Sequence, residues 1–287
     1  MSSTMSKRPP SNLQRPSPTN PALDQAILAL RMQRLDEAER FASEVLKSNR
    51  SNVVAAHVLG SALMMQNRPA EALDPLQRAA RRSDDPAIET LLAAALAATG
   101  RGDEALDQLR RTTARRPPFP PAFIELGGQL RKSGRFDEGV AVLEGGLALM
   151  PDVPDLRMGL GYLHLNRNDR ANARVMFSQV LEVAPGRHDA LVALAKVRAL
   201  DGEYAAAADL NRRALGLQPD HAPTRVNLGK CLLEMGEREA GESTLRAATR
   251  GDPKLAGPAI MALAAAPHGR FFLRPSAAAK FLRADKN

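Results

Sequence analysis

The sequence predicts an all-α solenoid of about seven helix-turn-helix units with a C-terminal capping segment, and three observations carry this expectation. First, a small residue recurs at Ala26, Gly60, Ala93, Gly127, Gly161, Ala195 and Gly229. Each is followed twelve positions later by a second, at Ala38, Ala72, Ala105, Gly139, Ala173, Ala207 and Gly241. Successive pairs lie 34 residues apart except for one step of 33, and a fixed period of that length marks stacked supersecondary units. Second, Pro117, Pro151, Pro185, Pro219 and Pro253 keep the same interval and stop helices that proline cannot continue. Third, the apolar residues follow helical spacing: Phe123, Leu126 and Leu130, a break at Ser133 and Gly134, then Val140, Leu143 and Leu147.

Taken in order, residues 1–18 carry Pro, Ser, Asn and basic residues without an apolar run and are expected to form a disordered basic arm. Seven units follow over 19–255, at about 19–52, 53–85, 86–119, 120–153, 154–187, 188–221 and 222–255. In each, the two small residues let the paired helices approach closely, and a bulky side chain there would overpack at about 1–3 kcal/mol. Leu59, Leu92, Leu126, Leu160, Leu194 and Leu228 each precede the first small residue and are expected in the shared core. Residues 256–287 form capping helices and a basic tail. A first helix is expected near Ala256, with Ile260, Met261 and Leu263, but Pro275 stands where the next small residue belongs. A normal partner helix is therefore not expected; Phe271, Phe272, Leu273, Phe281 and Leu282 gather there instead, with Ser276 as an N-cap candidate. These five residues are the candidates for a cap over the end of the stack, or for a basic amphipathic anchor to a partner or an anionic membrane.

The pattern of a small residue at the eighth place, Ala at the twentieth and Pro at the thirty-second resembles the tetratricopeptide repeat. The resemblance covers residues 19–255 and implies a right-handed solenoid of tetratricopeptide repeats. The chain departs from the family at the fourth place, usually a bulky aromatic, where it has Ala22, Ala56, Glu89, Phe123, Arg157, Leu191 and Arg225. The eleventh place is likewise mostly aliphatic, so the expected core has few aromatic rings, in line with an aromatic content of 3% and no Trp.

The net charge of +8 is distributed unevenly. Lys7, Arg8 and Arg15 give the arm +3, residues from Arg270 onward contribute +4, and the seven units together carry only +1. Nucleic acid is therefore not the expected partner of the solenoid, although the basic ends leave a regulatory subunit touching nucleic acid or an anionic surface as the alternative reading. No apolar run is long enough to span a membrane. A single cysteine, Cys231, excludes an intramolecular disulfide and fits a reducing, cytoplasmic compartment. Thirty-two Arg against eight Lys suggest a GC-rich bacterial genome.

No catalytic, cofactor or metal constellation is expected: the five histidines have no metal-ligand spacing, and the glycines lie in turns and helices. The chain reads as a non-catalytic scaffold or adaptor, or as an accessory subunit presenting substrates to a separate enzyme or secretion machine. The family resemblance implies that first helices line a concave groove for partner peptides or helices. Carried over place by place, it puts His57, Met64, Met65, Arg131, Lys132, Met158, Tyr162, Lys196 and Lys230 in that groove. The N-terminal part is apolar with adaptable methionines. The C-terminal part, where Lys196 and Lys230 stack one repeat apart beside Tyr162, is expected to take an acidic ligand or a C-terminal carboxylate. The family's carboxylate clamp for chaperone tails is not implied, because Met158, Tyr162, Ala193, Pro223 and Asn227 occupy its places. His164, Arg198 and Asn211 are polar at normally apolar places and are expected to form a small internal hydrogen-bond cluster.

Overall fold

The left-handed backbone conformation recurs in this chain with the same period as the small residues. Gln33, Asn67, Gly100, Gly134, Asn168, Gly202 and Gly236 all have φ between 57° and 83°. In each case the next residue's N–H donates back to a carbonyl five residues earlier, at 2.8 to 2.9 Å, as in Arg68 to Leu63 and Asp169 to His164. This is the helix-terminating arrangement that satisfies orphan carbonyls and reverses the chain. Gly and Asn tolerate that conformation; Gln33 adopts it against its preference.

The computed structural model describes residues 20–270 and 274–283, and among them every regular element is a helix. The expected arm at 1–18 lies outside the described residues. Two compact units are present, Met1–Gln108 and Leu109–Asn287. The first holds the hairpins α1 (Pro21–Arg31) with α2 (Leu35–Ser48) and α3 (Val53–Met65) with α4 (Pro69–Ala80), then α5 (Pro86–Ala98). Helix α6 (Gly102–Thr113) begins in the first unit and ends in the second. The second unit continues with α7 (Pro120–Lys132), α8 (Phe136–Leu149), α9 (Pro154–Asn166) and α10 (Arg170–Val183). It is completed by α11 (His188–Leu200), α12 (Tyr204–Leu217), α13 (Ala222–Glu234), α14 (Arg238–Gly251), α15 (Ala256–Ala265) and α16 (Pro275–Arg283).

Helix starts follow local chemistry. Asn52 accepts from the Ala55 N–H at 2.9 Å and Asp85 from Ala87 at 2.9 Å, while Pro69, Pro86, Pro120 and Pro154 open helices at a position where no N–H is needed. In four hairpins an Arg after the left-handed residue pairs with a Glu three residues on: Arg34–Glu37, Arg68–Glu71, Arg101–Glu104 and Arg135–Glu138. These acids also sit in the first turn of the second helix, where they complement the helix dipole.

In the four hairpins whose first small residue is glycine, that residue lies directly against a large side chain of the second helix. A Cβ at Gly127 would stand 2.8 Å from Leu143 Cγ, and one at Gly229 2.8 Å from Leu245 Cγ. Leu92, Leu126, Leu160, Leu194 and Leu228 are buried as expected, whereas Leu59 is half-buried. In the second unit α7 touches α9 and α11 touches α13, and each second helix packs on the first helix of the next hairpin. Successive second helices between α8 and α14 make no comparable contact among the described residues. First helices thus form the inner layer of the second unit and second helices its outer layer.

Two sequence expectations differ from the structure. Pro275 does not prevent a helix; it opens α16, because proline is tolerated in a first turn, and Ser276 is the second residue of that helix rather than its cap. Nor do His164, Arg198 and Asn211 form one cluster. His164 Nδ1 pairs with Asp169 Oδ2 at 3.1 Å, Arg198 pairs with Glu203, and the Asn211 Nδ2 donates to the Ala207 carbonyl at 2.9 Å. The first two pairs occupy the same place in successive hairpins, each joining a first helix across its turn to the start of the second.

Two neighbouring glycines separate packing from helix propensity. Gly127→Ala is expected to destabilise by about 1–3 kcal/mol because Leu143 is fully buried. Gly128→Ala, with nothing within 4 Å of its Cβ, is expected to stabilise by about 0.5–1 kcal/mol. Urea unfolding of the two variants checks the opposite signs. In the first unit, Gln33→Gly is expected to stabilise by about 0.5 kcal/mol by relieving the left-handed backbone, read in the same assay.

Candidate functional site

Tyr162 lies half-buried on the inner face of α9, its ring packed edge-on against Phe177 with centroids 5.3 Å apart. The Arg131 guanidinium of α7 stands over the Tyr162 ring, 6.0 Å from its centroid, a cation–π approach. Burial pushes the Tyr162 hydroxyl pKa up, reinforced by Asp189 and opposed by Arg131 and Arg187, so the phenol stays protonated and can donate. Two adjoining cavities share Tyr162, Lys196 and Leu200. One, about 310 Å³, is bounded by Arg131 and Asn166; the other, about 300 Å³, runs to Asn211, Asn227, Lys230 and Cys231. Neither lining contains an Asp or Glu.

Several arginines of the second unit are paired with carboxylates. On its outer helices and turns, Arg174 reaches Asp201 at 2.5 Å and Glu203 at 2.6 Å. Arg187 likewise reaches Asp155 at 2.5 Å and Asp189 at 2.8 Å. Lys196 and Lys230 are exposed and make no ion pair among the described residues. The site therefore offers two uncompensated ammonium groups and a stacked guanidinium beside a tyrosine, over an apolar lining from α11.

The other sequence candidates fall elsewhere. Lys132 is exposed at the end of α7, where it complements the helix dipole, and lines neither cavity. Met158 is not on the open face: it is 4% exposed and packs with Ala173, Phe177 and Ala190. The turn of α9 directs that position at the next hairpin rather than at the inner surface. In the first unit, Met64 is half-buried and Met65 is 54% exposed on α3. His57 is half-buried on the same helix, and desolvation lowers its pKa, partly countered by Asp85. Asn211, Asn227 and Cys231 were not among the expected site residues, although all three line the second cavity. The available signal was Asn211 itself, polar where five other repeats carry Leu or Phe and the first carries Ala42.

At the C-terminal end, α16 turns Ala278 and Leu282 inward. Leu282, 2% exposed, joins Val226, Leu233, Leu245 and Leu263 in one cluster. Phe281 is flanked by Arg246 and Arg270, whose guanidinium carbons lie 4.2 and 4.7 Å from its ring. Both arginines also reach the buried Glu242, at 3.4 and 3.1 Å. Phe271, Phe272 and Leu273 lie outside the described residues.

Among the described residues no group of three or more His, Cys, Asp or Glu is placed to hold a metal ion, and no helix is long and apolar enough to cross a membrane.

Comparison with known proteins places this architecture. Family models described as tetratricopeptide repeat match residues 23–88, 86–111, 130–197 and 198–266. No curated protein sequence matches. A tetratricopeptide repeat protein from Parabacteroides merdae is similar in structure, with a TM-score of 0.65 at 15% identity over 84% of this chain and 97% of that one. The Cut9–Hcn1 hetero-tetramer of the APC/C gives a TM-score of 0.66 at 16% identity, over 83% of this chain and 48% of that chain. Pseudomonas aeruginosa pilF gives 0.60 at 18% identity, over 70% and 92%. These likenesses support the fold alone, and together with the family models spread along both units they show that the chain belongs to the tetratricopeptide repeat family.

Proposed function

We propose that this protein is a non-catalytic scaffold that binds an acidic segment of a partner protein along the inner face of its second unit. Tetratricopeptide repeats generally serve as protein–protein interaction scaffolds. The observation that carries the finer reading is the unpaired state of Lys196 and Lys230 beside Tyr162, on a face whose cavities contain no carboxylate. Unpaired ammonium groups flanking an apolar cleft attract carboxylates and favour their docking, because the cleft lowers the local dielectric and focuses the field. The C-terminal segment is proposed as a cap. The inward burial of Leu282 and Ala278 leaves the apolar side of α16 committed to α14 and α15, not free for a membrane.

Binding of a fluorescein-labelled poly-glutamate decapeptide, against its poly-lysine counterpart, tests the acidic-groove reading. The acidic peptide is expected to bind, to weaken as salt is raised, and to lose about tenfold or more in affinity to the Lys196→Glu/Lys230→Glu variant. Equal binding by the variant overturns the reading. For the cap, Leu282→Ala is expected to destabilise the second unit by about 2 kcal/mol in urea unfolding. An unchanged midpoint together with lost sedimentation on anionic vesicles would instead identify an anchor.

A further inference from the structure

Leu149, Val183 and Leu217 end α8, α10 and α12 and are 45%, 68% and 49% exposed. They hold one place in three successive repeats of the second unit, and each is followed two residues later by an exposed proline, Pro151, Pro185 or Pro219. The other four repeats have Ser48, Arg82, Arg115 and Gly251 at that place, so the apolar pair is confined to repeats four to six. The three pairs adjoin one another along the loop edge of the unit. Val183 shares a cavity of about 440 Å³ with Pro151 and Asp152 of the preceding loop, and a Cβ at Gly186 would stand 4.0 Å from Leu217 Cδ2. Scattered exposed aliphatic residues are ordinary, but a continuous strip marks a contact surface.

We propose that this strip is the contact between two copies of the chain, paired antiparallel about a two-fold axis at Val183. The charges at its two ends select a second copy as the occupant. Asp152, exposed beside Leu149, makes no ion pair among the described residues. Arg213, exposed one turn before Leu217, reaches the Pro185 carbonyl at 3.4 Å but no carboxylate. Between and beyond them the charges are offset: Glu182 borders the same cavity as Arg157, and Asp220 lies 3.5 Å from Arg225. A foreign segment of one sign would suit one end and oppose the other. A two-fold axis lays the repeat-four end of each copy on the repeat-six end of its partner, so Leu149 meets Leu217 and Asp152 meets Arg213 twice. The chain as a whole carries +8, so copies repel unless they meet where charge is balanced. None of the strip residues lines the inner clefts, so each copy keeps its own.

Sedimentation velocity of the full chain from about 1 to 200 µM tests the pairing. The strip is smaller than a standard interface of roughly 20–30 residues a side, so reversible dimers with a dissociation constant on the order of 10 µM are expected. Val183→Glu, which sets two carboxylates at the axis, is expected to stay monomeric at every concentration. Its urea midpoint is expected to match that of the parent chain, because Val183 is 68% exposed. Asp152→Arg and Arg213→Asp each set like charges against one another, and each is expected to weaken pairing about tenfold or more. The double variant, which exchanges the two ends, is expected to restore it. Lys196→Glu/Lys230→Glu, on the inner face, is expected to leave the dimer intact; dissociation there would move the contact to the inner face and overturn the proposal. A parent chain that is monomeric at the highest concentration, or dimers that persist in Val183→Glu, also overturn it. Failure of the charge exchange to restore a pairing that each single variant lost overturns the two-fold arrangement.

Discussion

Close contact between a small residue on the first helix and a large buried side chain on the second holds every hairpin for which the geometry can be read. The ridge formed by Leu143 or Leu245 seats where Gly127 or Gly229 leaves no Cβ, so the helix axes approach until backbone and side chain meet. The same device runs in reverse at Gly241, whose missing Cβ makes room for Leu233, and at Gly139, which receives Leu163 from the next hairpin. A repeat protein has no distant core to compensate for a poor local fit, since each hairpin is stabilised chiefly by its own packing and its neighbours. The periodic contact is therefore the condition for the remaining features: it fixes the hairpin angle, places first helices side by side, and creates an inner face.

Electrostatics follows from that geometry. The left-handed turn places a residue just ahead of each second helix, and the chain uses this place in two ways. With Arg there, as in Arg68 and Arg135, the guanidinium turns forward to a first-turn Glu. With an acid there, as in Asp169 and Glu203, the partner lies behind, at His164 and Arg198. Either way the charges at the turns are consumed locally. For the exposed Arg–Glu pairs this adds little stability, because solvent screens them. Lys196 and Lys230 differ from these turn residues: they border the cleft of the second unit and make no ion pair among the described residues.

Much of the architecture was legible in the sequence because its causes are local. The Gly/Ala pairs, the turn residues and the helix-stopping prolines each act within one hairpin, and the period multiplies their signal. That Tyr162, Lys196 and Lys230 border one cleft also follows from register, since a residue's place within a repeat determines the face it occupies. What failed depended on where an element starts or which neighbour it meets. Met158 has a groove-side register, but the next hairpin covers it. Pro275 was read as a breaker by its place in the period, while its place in the actual helix is the first turn. His164, Arg198 and Asn211 share polarity but not a partner, because the eleventh place reaches across its own turn whereas Asn211 faces the adjoining first helix.

The second unit illustrates where the hairpins of a repeat scaffold can come to differ. Identical hairpins produce identical inner surfaces, and a uniform surface can select partners only by overall charge and curvature. Selectivity requires that one repeat differ, and the change must lie where it alters the space between hairpins rather than only the solvated surface. Asn211 marks such a difference: it is a buried polar side chain, 1% exposed, at the place that Leu76, Leu109, Leu143, Phe177 and Leu245 hold in five other repeats, and it borders the cleft lined by Lys196 and Lys230. The flanking hairpins keep full core side chains at this place, Phe177 and Leu245, both fully buried. In general, a preorganised surface on packed helices loses less conformational entropy on binding than a mobile loop, and so can discriminate by shape and hydrogen bonding.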